Sequence, residues 1–310
     1  MEFFNFHSDE FTISLEVSGF YNLLLLLLGS IGVIFNSIES FINIRNKLFT
    51  ESLYNSTRLF NNLSGIILSF RHILIGALNF KVFRNDWGFY DIDICTKRGM
   101  IDMFTIHLFQ VSFIFQCLSF LVSLIHPIYY MMKLNTILIK VTMLLSIIFL
   151  SFLPLTMLSM KDLPTLFSNP CTNFSTWTYH FKIYHLVFTI FLIQLLSTIF
   201  VMTLWNIYGM KTKDEVKKNL NSFIAWTIAI FLLFWALPDI LMIIFVYSDF
   251  ESNNRAIFVD LFYLLTAISV TIQLPFSLWK NKIIRRHFFE FRIIAYITPR
   301  NTLLRISSTF

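Results

Sequence analysis

The feature that most constrains this chain is a series of seven apolar stretches between Ser18 and Lys280, each long enough to cross a bilayer. The first contains a 22-residue window without a charged side chain, from Val17 to Ile38. A hydrocarbon core about 30 Å thick needs roughly 20 helical residues, and 56% of this chain is apolar. The sequence therefore predicts an all-α membrane protein with a seven-helix bundle. The predicted spans are 18–43, 58–80, 100–125, 138–159, 184–208, 222–247 and 257–279.

The segments between the spans are short, so we divide the chain into three parts. Residues 1–17 form an N-terminal segment, residues 18–279 form the transmembrane domain, and residues 280–310 form a C-terminal tail. The tail begins Lys280-Asn-Lys-Ile-Ile-Arg-Arg-His-Phe-Phe-Glu-Phe, in which basic residues alternate with Phe and Ile. This pattern predicts a short amphipathic helix on an anionic membrane surface after the seventh span.

The distribution of Lys and Arg predicts the orientation. Of 24 such residues, 16 lie in the tail and in the segments after spans one, three and five, with Arg58 counted in the first of these segments. Seven lie on the opposite side, and Arg71 lies within the second span. Positive charge is retained on the cytoplasmic side, so we expect an extracellular N-terminal segment and a cytoplasmic tail. The net charge of +6 follows from this bias, and no nucleic-acid partner is expected.

The cysteine positions agree with that orientation. Cys95 precedes the third span and Cys171 precedes the fifth, both on the side predicted to be extracellular. Oxidising conditions there allow a Cys95–Cys171 disulfide, with two unrelated free thiols as the alternative. The sequence Asn173-Phe-Ser beside Cys171 is an acceptor for N-glycosylation on the same side.

Three motifs resemble those of rhodopsin-like G-protein-coupled receptors. The third span ends Ser119-Phe-Leu-Val-Ser-Leu-Ile-His-Pro-Ile-Tyr-Tyr130, which resembles the family pattern Asp-Arg-Tyr-x-x-x-x-x-Pro-x-x-Tyr. In that register Cys95 stands 25 residues before Phe120, which takes the place of the Arg, as in the family. The sixth span contains Phe234-Trp-Ala-Leu-Pro238 and the seventh contains Leu274-Pro-Phe-Ser-Leu278, similar to the proline motifs of the family.

The chain also departs from the family pattern. Ser119 and Phe120 replace the Asp-Arg pair, Leu274 and Leu278 replace the Asn and Tyr around the proline, and the fifth span has no proline. The chain keeps the seven spans and the spacing of the motifs but has lost their signature residues. In this it resembles the nematode serpentine chemoreceptors, a divergent branch of this class. No subfamily is assigned.

The resemblance implies a chemosensory receptor that binds a small external ligand in its helix bundle and activates a heterotrimeric G protein. It implies a plasma-membrane location with the N-terminus outside, in the cilia of sensory neurons, and neither a cofactor nor a metal. The residues expected to face the G protein are Phe120, His126, Pro127, Lys211, Lys213, Lys217 and Lys218. Helix kinks are expected at Pro238 and Pro275.

Polar residues within the spans are candidates for the ligand site, because a buried ionisable group is costly in a membrane and usually faces the bundle interior. These candidates are Arg71, Asp102, His107, Trp235 and Asp239. By the resemblance, Asp102 could receive a cationic ligand. The alternative, which we favour, is that Asp102 neutralises Arg71 or Arg98. Glu39, near the end of the first span, is expected at the membrane interface.

Two other function classes fit the sequence less well. A ligand-gated ion channel of the seven-transmembrane odorant-receptor type is the main alternative, although its cytoplasmic N-terminus disagrees with the Lys and Arg count. An enzyme is not expected, because the histidines are scattered over several depths without a His-x-x-x-His pair.

Overall fold

The computed structural model describes residues 18–84, 92–159, 178–209, 215–247 and 252–290. Within these ranges lie seven helices that are long and apolar enough to cross a membrane. They are α1 (Gly19–Arg45), α2 (Leu53–Arg84), α3 (Ile92–Ile125), α4 (Ile137–Leu158), α5 (Tyr179–Gly209), α6 (Glu215–Phe231, continued by Leu232–Ala236 and Leu237–Tyr247) and α7 (Ser252–Lys280). The prediction of an all-α, seven-helix membrane protein is confirmed.

Several helices begin before the predicted spans. α2 starts at Leu53 rather than at 58, and α3 starts at Ile92 rather than at 100. A helix satisfies its own backbone hydrogen bonds and can continue beyond the hydrocarbon core, whereas hydropathy marks only the embedded part. The extra turns of α2 bring Arg58 into the helix, although we had counted it with the connecting segment.

We name the two ends of the bundle after the two ends of α1. Ser18 caps α1 by accepting a hydrogen bond from the Tyr21 backbone N–H, so the Ser18 end is where the odd-numbered helices begin. The Arg45 end is where they finish. Short helical turns lie there at Leu48–Glu51 and Pro127–Tyr129, and the second continues into a π-helical turn at Tyr130–Leu134.

Small residues allow α1 and α2 to approach closely. A Cβ atom added to Gly29 would lie 2.8 Å from the backbone oxygen of Ser69, and one added to Gly76 would lie 2.8 Å from the backbone oxygen of Asn22. α7 packs on the other side of α1, where the Asn36 side-chain amide donates to the Val270 carbonyl oxygen at 3.3 Å. The first, second and seventh helices thus form one tightly packed group.

The largest apolar cluster fills the space between α3, α5, α6 and α7. Its largest fully buried side chains are Trp235, Tyr263, Phe109, Phe113, Phe181 and Phe262. Large apolar side chains also cover the outside of the bundle, for example Phe149 on α4 at 74% exposure and Trp205 on α5 at 80%. An apolar exterior around a partly polar interior is the arrangement that a bilayer requires.

An eighth helix, α8 (Lys282–Phe289), follows α7 at the Arg45 end. Ile284 is buried against Ile42 and Leu48, while Lys282 and Arg286 are exposed. The apolar side therefore faces the bundle and the basic side faces away, as the amphipathic pattern predicts. The residues from 291 onward and the N-terminal residues 1–17 lie outside the described part of the chain.

The two prolines expected to kink their helices have different surroundings. A π-helical segment, Leu232–Ala236, ends two residues before Pro238. Proline cannot donate to the carbonyl four residues earlier, and a wider turn accommodates both the missing bond and the ring. Pro275 instead lies inside α7, which remains α-helical through to Lys280.

Candidate functional site

The Ser18 half of the bundle contains a buried ion pair between α2 and α3. The Arg71 Nε donates to Asp102 Oδ1 at 2.9 Å, and the two side chains are each 3% exposed. The guanidinium carbon of Arg71 also lies 4.0 Å from the ring centroid of Tyr263 on α7. Arg71 therefore joins three helices through one charge-assisted hydrogen bond and one cation–π contact.

The same contacts fix the tautomer of His72. Arg71 Nη1 lies 3.2 Å from His72 Nδ1, and because a guanidinium can only donate, Nδ1 must accept. His72 is then neutral with its proton on Nε2, and this N–H has no hydrogen-bond partner. Arg71 Nη2 and Asp102 Oδ2 also lack partners. The ion pair is thus only partly satisfied by protein groups.

A second polar contact joins α5 to α6. Asp239 follows Pro238, and its Oδ1 lies 2.9 Å from His185 Nε2. The Thr189 hydroxyl donates to Asp239 Oδ2 at 2.7 Å. Asp239 and His185 are almost completely buried. Both carboxylate oxygens therefore contact α5, and these contacts fix the Ser18 half of α6 beside that helix.

His107 on α3 faces the same region. Its Nδ1 donates to the Met103 carbonyl at 3.1 Å, so its Nε2 is unprotonated in the neutral ring and can accept a hydrogen bond. That atom has no partner. The ring packs against Phe188 at a centroid distance of 4.8 Å and lies 6.3 Å from the ring of His185.

Gln110 lies one turn after His107 on α3 and is completely buried. Neither its amide oxygen nor its amide nitrogen has a hydrogen-bond partner. Buried polar atoms of this kind are rare in proteins and call for an explanation, such as bound water or a ligand. Gln110 and the Nε2 of His107 together offer one donor and two acceptors inside the bundle.

Trp235 completes this region from α6. Its ring stacks on Phe109 at 5.0 Å and on Phe231 at 5.3 Å, and its Nε1–H is buried without a partner. It lies in the π-helical segment, one turn before Asp239. We define the central polar cluster as His107, Gln110, His185, Trp235 and Asp239, which α3, α5 and α6 contribute.

The five predicted ligand residues therefore fall into two groups within the Ser18 half. Arg71 and Asp102 pair with each other, which is the alternative that we favoured for Asp102. His107, Trp235 and Asp239 belong to the central polar cluster. The sequence had not indicated Gln110 or His185 as members. The spacing of His185 and Thr189, one helical turn apart near the start of α5, is the signal that could have found the α5 partner of Asp239.

The Arg45 half contains another buried ion pair. Arg58 Nη2 lies 2.6 Å from Glu39 Oε1 and donates to the Ser277 hydroxyl at 2.8 Å. The Arg58 guanidinium also lies over the ring of Phe223, 5.1 Å from its centroid. Arg58 of α2 thus contacts α1, α6 and α7. We call Arg58 and its three partners, Glu39, Phe223 and Ser277, the Arg58 hub.

This arrangement corrects the placement of Arg58, which belongs to α2 rather than to a connecting segment. Glu39 is 1% exposed and Arg58 is 3% exposed, so both side chains are buried between helices. Arg58 reaches Glu39 from the early turns of α2. The register of α2 against α1 was not visible in hydropathy, and the pair was missed for that reason.

A small cavity of about 30 Å³ adjoins the Arg58 hub. Its polar lining includes Glu39, Arg58, Asn62, Gln116 and Gln273. Glu39 Oε2, Gln116 Oε1 and Asn62 Nδ2 have no hydrogen-bond partner. A bound water needs roughly 10–15 Å³ and two to four polar partners, so the space suits water rather than an organic ligand.

The residues expected to face a G protein are found in different environments. Phe120 is only 3% exposed, and its ring packs edge-on against Tyr54 of α2 with 6.3 Å between the ring centroids. His126 and Pro127 are exposed at the Arg45 end. Lys217 and Lys218 lie in the first turn of α6, while Lys211 and Lys213 lie outside the described residues.

The predicted extracellular modifications also involve residues beyond those described. Cys95 lies in the first turn of α3, but Cys171 and Asn173 fall in the segment 160–177, which lies outside the described ranges. The disulfide and the glycosylation site therefore stay predictions. Cys117, on α3, is buried with a free thiol.

The fold and its interior define a multi-pass membrane protein with seven spanning helices and buried ion pairs in both halves of the bundle. No protein-family model matches the chain, and no curated protein matches it significantly.

Replacing Arg71 by Ala is expected to destabilise the protein strongly and to lower its folded yield, because Asp102 is left as an unpaired buried charge. Breaking a buried pair costs about 3–5 kcal/mol, against a total stability of about 5–15 kcal/mol. The double variant Arg71→Ala with Asp102→Asn should recover most of the folded yield, measured by size-exclusion chromatography of a fluorescent fusion. Arg286→Ala, on exposed α8, is the matched control. A normal yield for R71A alone would contradict this role.

Proposed function

We propose that this chain is a chemosensory G-protein-coupled receptor. On this proposal the Ser18 end is extracellular, a small molecule binds in the Ser18 half, and a heterotrimeric G protein binds at the Arg45 end. The family-like motifs around Pro127, Pro238 and Pro275 support it, together with the excess of Lys and Arg in the tail and in the segments at the Arg45 end.

Unsatisfied polar atoms in the central polar cluster are the observation that supports ligand binding in this proposal. Four of these atoms are buried without a hydrogen-bond partner: His107 Nε2, both amide atoms of Gln110, and Trp235 Nε1. A small molecule would satisfy them with donors to His107 Nε2 and the Gln110 oxygen and with acceptors for the Gln110 nitrogen and Trp235 Nε1. Aromatic rings of Phe109, Phe188 and other residues surround the same region and supply apolar contact.

α6 is the element that would transmit binding. Asp239 attaches its Ser18 half to α5, and Trp235 lies in the π-helical segment next to Pro238. Such segments interrupt the regular hydrogen-bond ladder and are common at functional sites. A ligand that contacts Trp235 differently in two positions of α6 would shift the equilibrium between them, by no more than its difference in affinity.

Stacked aromatic rings extend from Trp235 towards the Arg45 end. Trp235 stacks on Phe231, whose ring lies 4.2 Å from that of Phe113. Farther along α6, Phe223 lies under the guanidinium of Arg58. The arginine of the family motif is replaced here by Phe120, so we propose that the Arg58 hub holds α6 in the resting position instead.

Orientation is the first part of the proposal to test. Epitope tags before Met1 and after Phe310 should show the N-terminal tag in intact cells and the C-terminal tag only after permeabilisation, because of the Lys and Arg distribution. Antibody staining of both tags in the same cells measures this. The opposite pattern would contradict the receptor and favour a ligand-gated channel of the odorant-receptor type.

Ligand binding is tested by replacing Gln110 with Leu, which removes two unsatisfied polar atoms and should leave folding intact. We expect the concentration of an active compound needed for half-maximal response to rise about tenfold, as for the loss of one or two hydrogen bonds. The response is measured with second-messenger reporters across a panel of small molecules. Gln194→Leu on the exposed face of α5 is the matched control. Equal responses in both variants would place the ligand elsewhere.

A further inference from the structure

Four buried polar atoms of the central polar cluster form a balanced set of hydrogen-bonding groups. His107 Nε2 and the Gln110 amide oxygen are acceptors, whereas the Gln110 amide nitrogen and Trp235 Nε1 are donors. None of the four atoms has a partner, and all three side chains are completely buried. Buried polar groups are normally satisfied, so this set points to an occupant that offers complementary groups. Such an occupant must donate two hydrogens and accept two.

The open atoms come from facing parts of α3 and α6. His107 and Gln110 stand three residues apart on α3, and such positions are neighbours on a helix surface, with Cβ atoms about 5–6 Å apart. Trp235 packs from α6 against the residue next to Gln110, since its ring lies 5.0 Å from that of Phe109. The four atoms thus belong to one contact region between the two helices.

No charged group of the cluster is open to an occupant. Both oxygens of Asp239 are engaged by α5, through His185 and Thr189. Outside the cluster, Arg71 and Asp102 pair with each other. The open atoms belong instead to an imidazole, a carboxamide and an indole. A charged ligand group would therefore be buried there without a counter-ion, which is strongly unfavourable. The cluster selects an uncharged ligand.

A primary carboxamide matches the four atoms in number and kind. Its nitrogen carries two hydrogens, and its oxygen has two lone pairs. One N–H and one lone pair complement the amide of Gln110 in two antiparallel hydrogen bonds. The second N–H is left for His107 Nε2, and the second lone pair is left for Trp235 Nε1–H. A carboxylate or a ketone lacks the two donors, and an amidinium lacks the acceptor.

Aromatic rings border the same region. Phe188 packs on His107 with 4.8 Å between the ring centroids, and Phe109 packs on Trp235. Apolar and aromatic surfaces beside a few polar atoms are typical of small-molecule sites, and they favour a ligand with an aromatic body.

Entry of a ligand requires movement, because the side chains of the cluster are enclosed. Trp235 lies in the π-helical segment of α6, where the regular hydrogen-bond ladder is interrupted. A displacement of α6 from α3 at this segment would expose the four open atoms together. The segment therefore supplies the place at which the site can open.

We propose that the central polar cluster binds an uncharged ligand with a primary carboxamide on an aromatic body. The carboxamide pairs with Gln110, and the aromatic body lies against the rings of Phe109 and Phe188. This inference rests on the ligand site of the proposed function and names the class of molecule that the site selects. It concerns binding alone, so its test needs neither a G protein nor a cellular response.

Binding of four small probes of nearly the same shape tests the proposal. Benzamide carries the carboxamide, acetophenone keeps the oxygen without the donors, benzoate is anionic and benzamidine is cationic. Their dissociation constants are measured by saturation-transfer NMR titration of the purified full-length protein in detergent micelles at neutral pH. The same titrations with Gln110→Leu show how much of the signal comes from uptake by the micelle. Gln194→Leu, on the exposed face of α5, is the matched control.

We expect benzamide to bind about tenfold more tightly than acetophenone, because acetophenone leaves two acceptors of the cluster unpartnered. Benzoate and benzamidine should bind at least about a hundredfold more weakly than benzamide, since each would bury an uncompensated charge. Gln110→Leu should weaken benzamide binding about tenfold, whereas Gln194→Leu should leave it unchanged. Trp235→Phe keeps an aromatic ring but removes the donor, and it should weaken benzamide binding about fivefold. It serves as a second variant should Gln110→Leu fold poorly.

Three results would overturn the proposal. Benzoate or benzamidine binding as tightly as benzamide would show that the site accepts a charge. Equal binding of benzamide to the protein and to Gln110→Leu would place the carboxamide elsewhere. Binding of none of the four probes would leave the open atoms to internal water. In each case a receptor could still respond to a ligand of another class, and the tag staining and reporter assays decide that separately.

Discussion

A charged side chain inside a bilayer needs a partner, and this requirement organises the whole interior of the protein. Arg58 pairs with Glu39 in the Arg45 half, and Arg71 pairs with Asp102 in the Ser18 half. Both arginines belong to α2, and together they attach this helix to α1, α3, α6 and α7. Because lipid offers no hydrophobic force between helices, such polar contacts and close packing hold a membrane bundle together.

The polar groups of the central polar cluster differ in how completely they are satisfied. Asp239 has both oxygens bound by α5, whereas Gln110 and the Nε2 of His107 have no partner. Satisfied groups fix one arrangement of helices, and unsatisfied groups leave room for water or a ligand to change it. α6 contributes to both kinds, through Asp239 and Trp235. This is why we propose that α6 is the moving element of a receptor.

The spans could be predicted from sequence because their apolar residues are selected by the membrane, independently of neighbouring helices. The helix α8 could be predicted because its basic and apolar residues alternate in an amphipathic pattern. The pairing of Arg71 with Asp102 could be anticipated as one of two alternatives. The Arg58–Glu39 pair could not, since it depends on α2 beginning at Leu53 and on its rotation against α1. The motif position of Phe120 led us to expect contact with a G protein, but the motif gives no information about its burial against Tyr54.

The central claim is that paired buried charges hold the helices together, and a double-mutant cycle on Arg58 and Glu39 tests it most directly. The free energy of unfolding is measured in lipid bicelles for Arg58→Met, Glu39→Gln and the double variant. Each single change should cost about 3–5 kcal/mol by leaving one charge unpaired. The double variant should cost less than either single change. Costs that simply add would contradict the account, because they would show that the two side chains act independently.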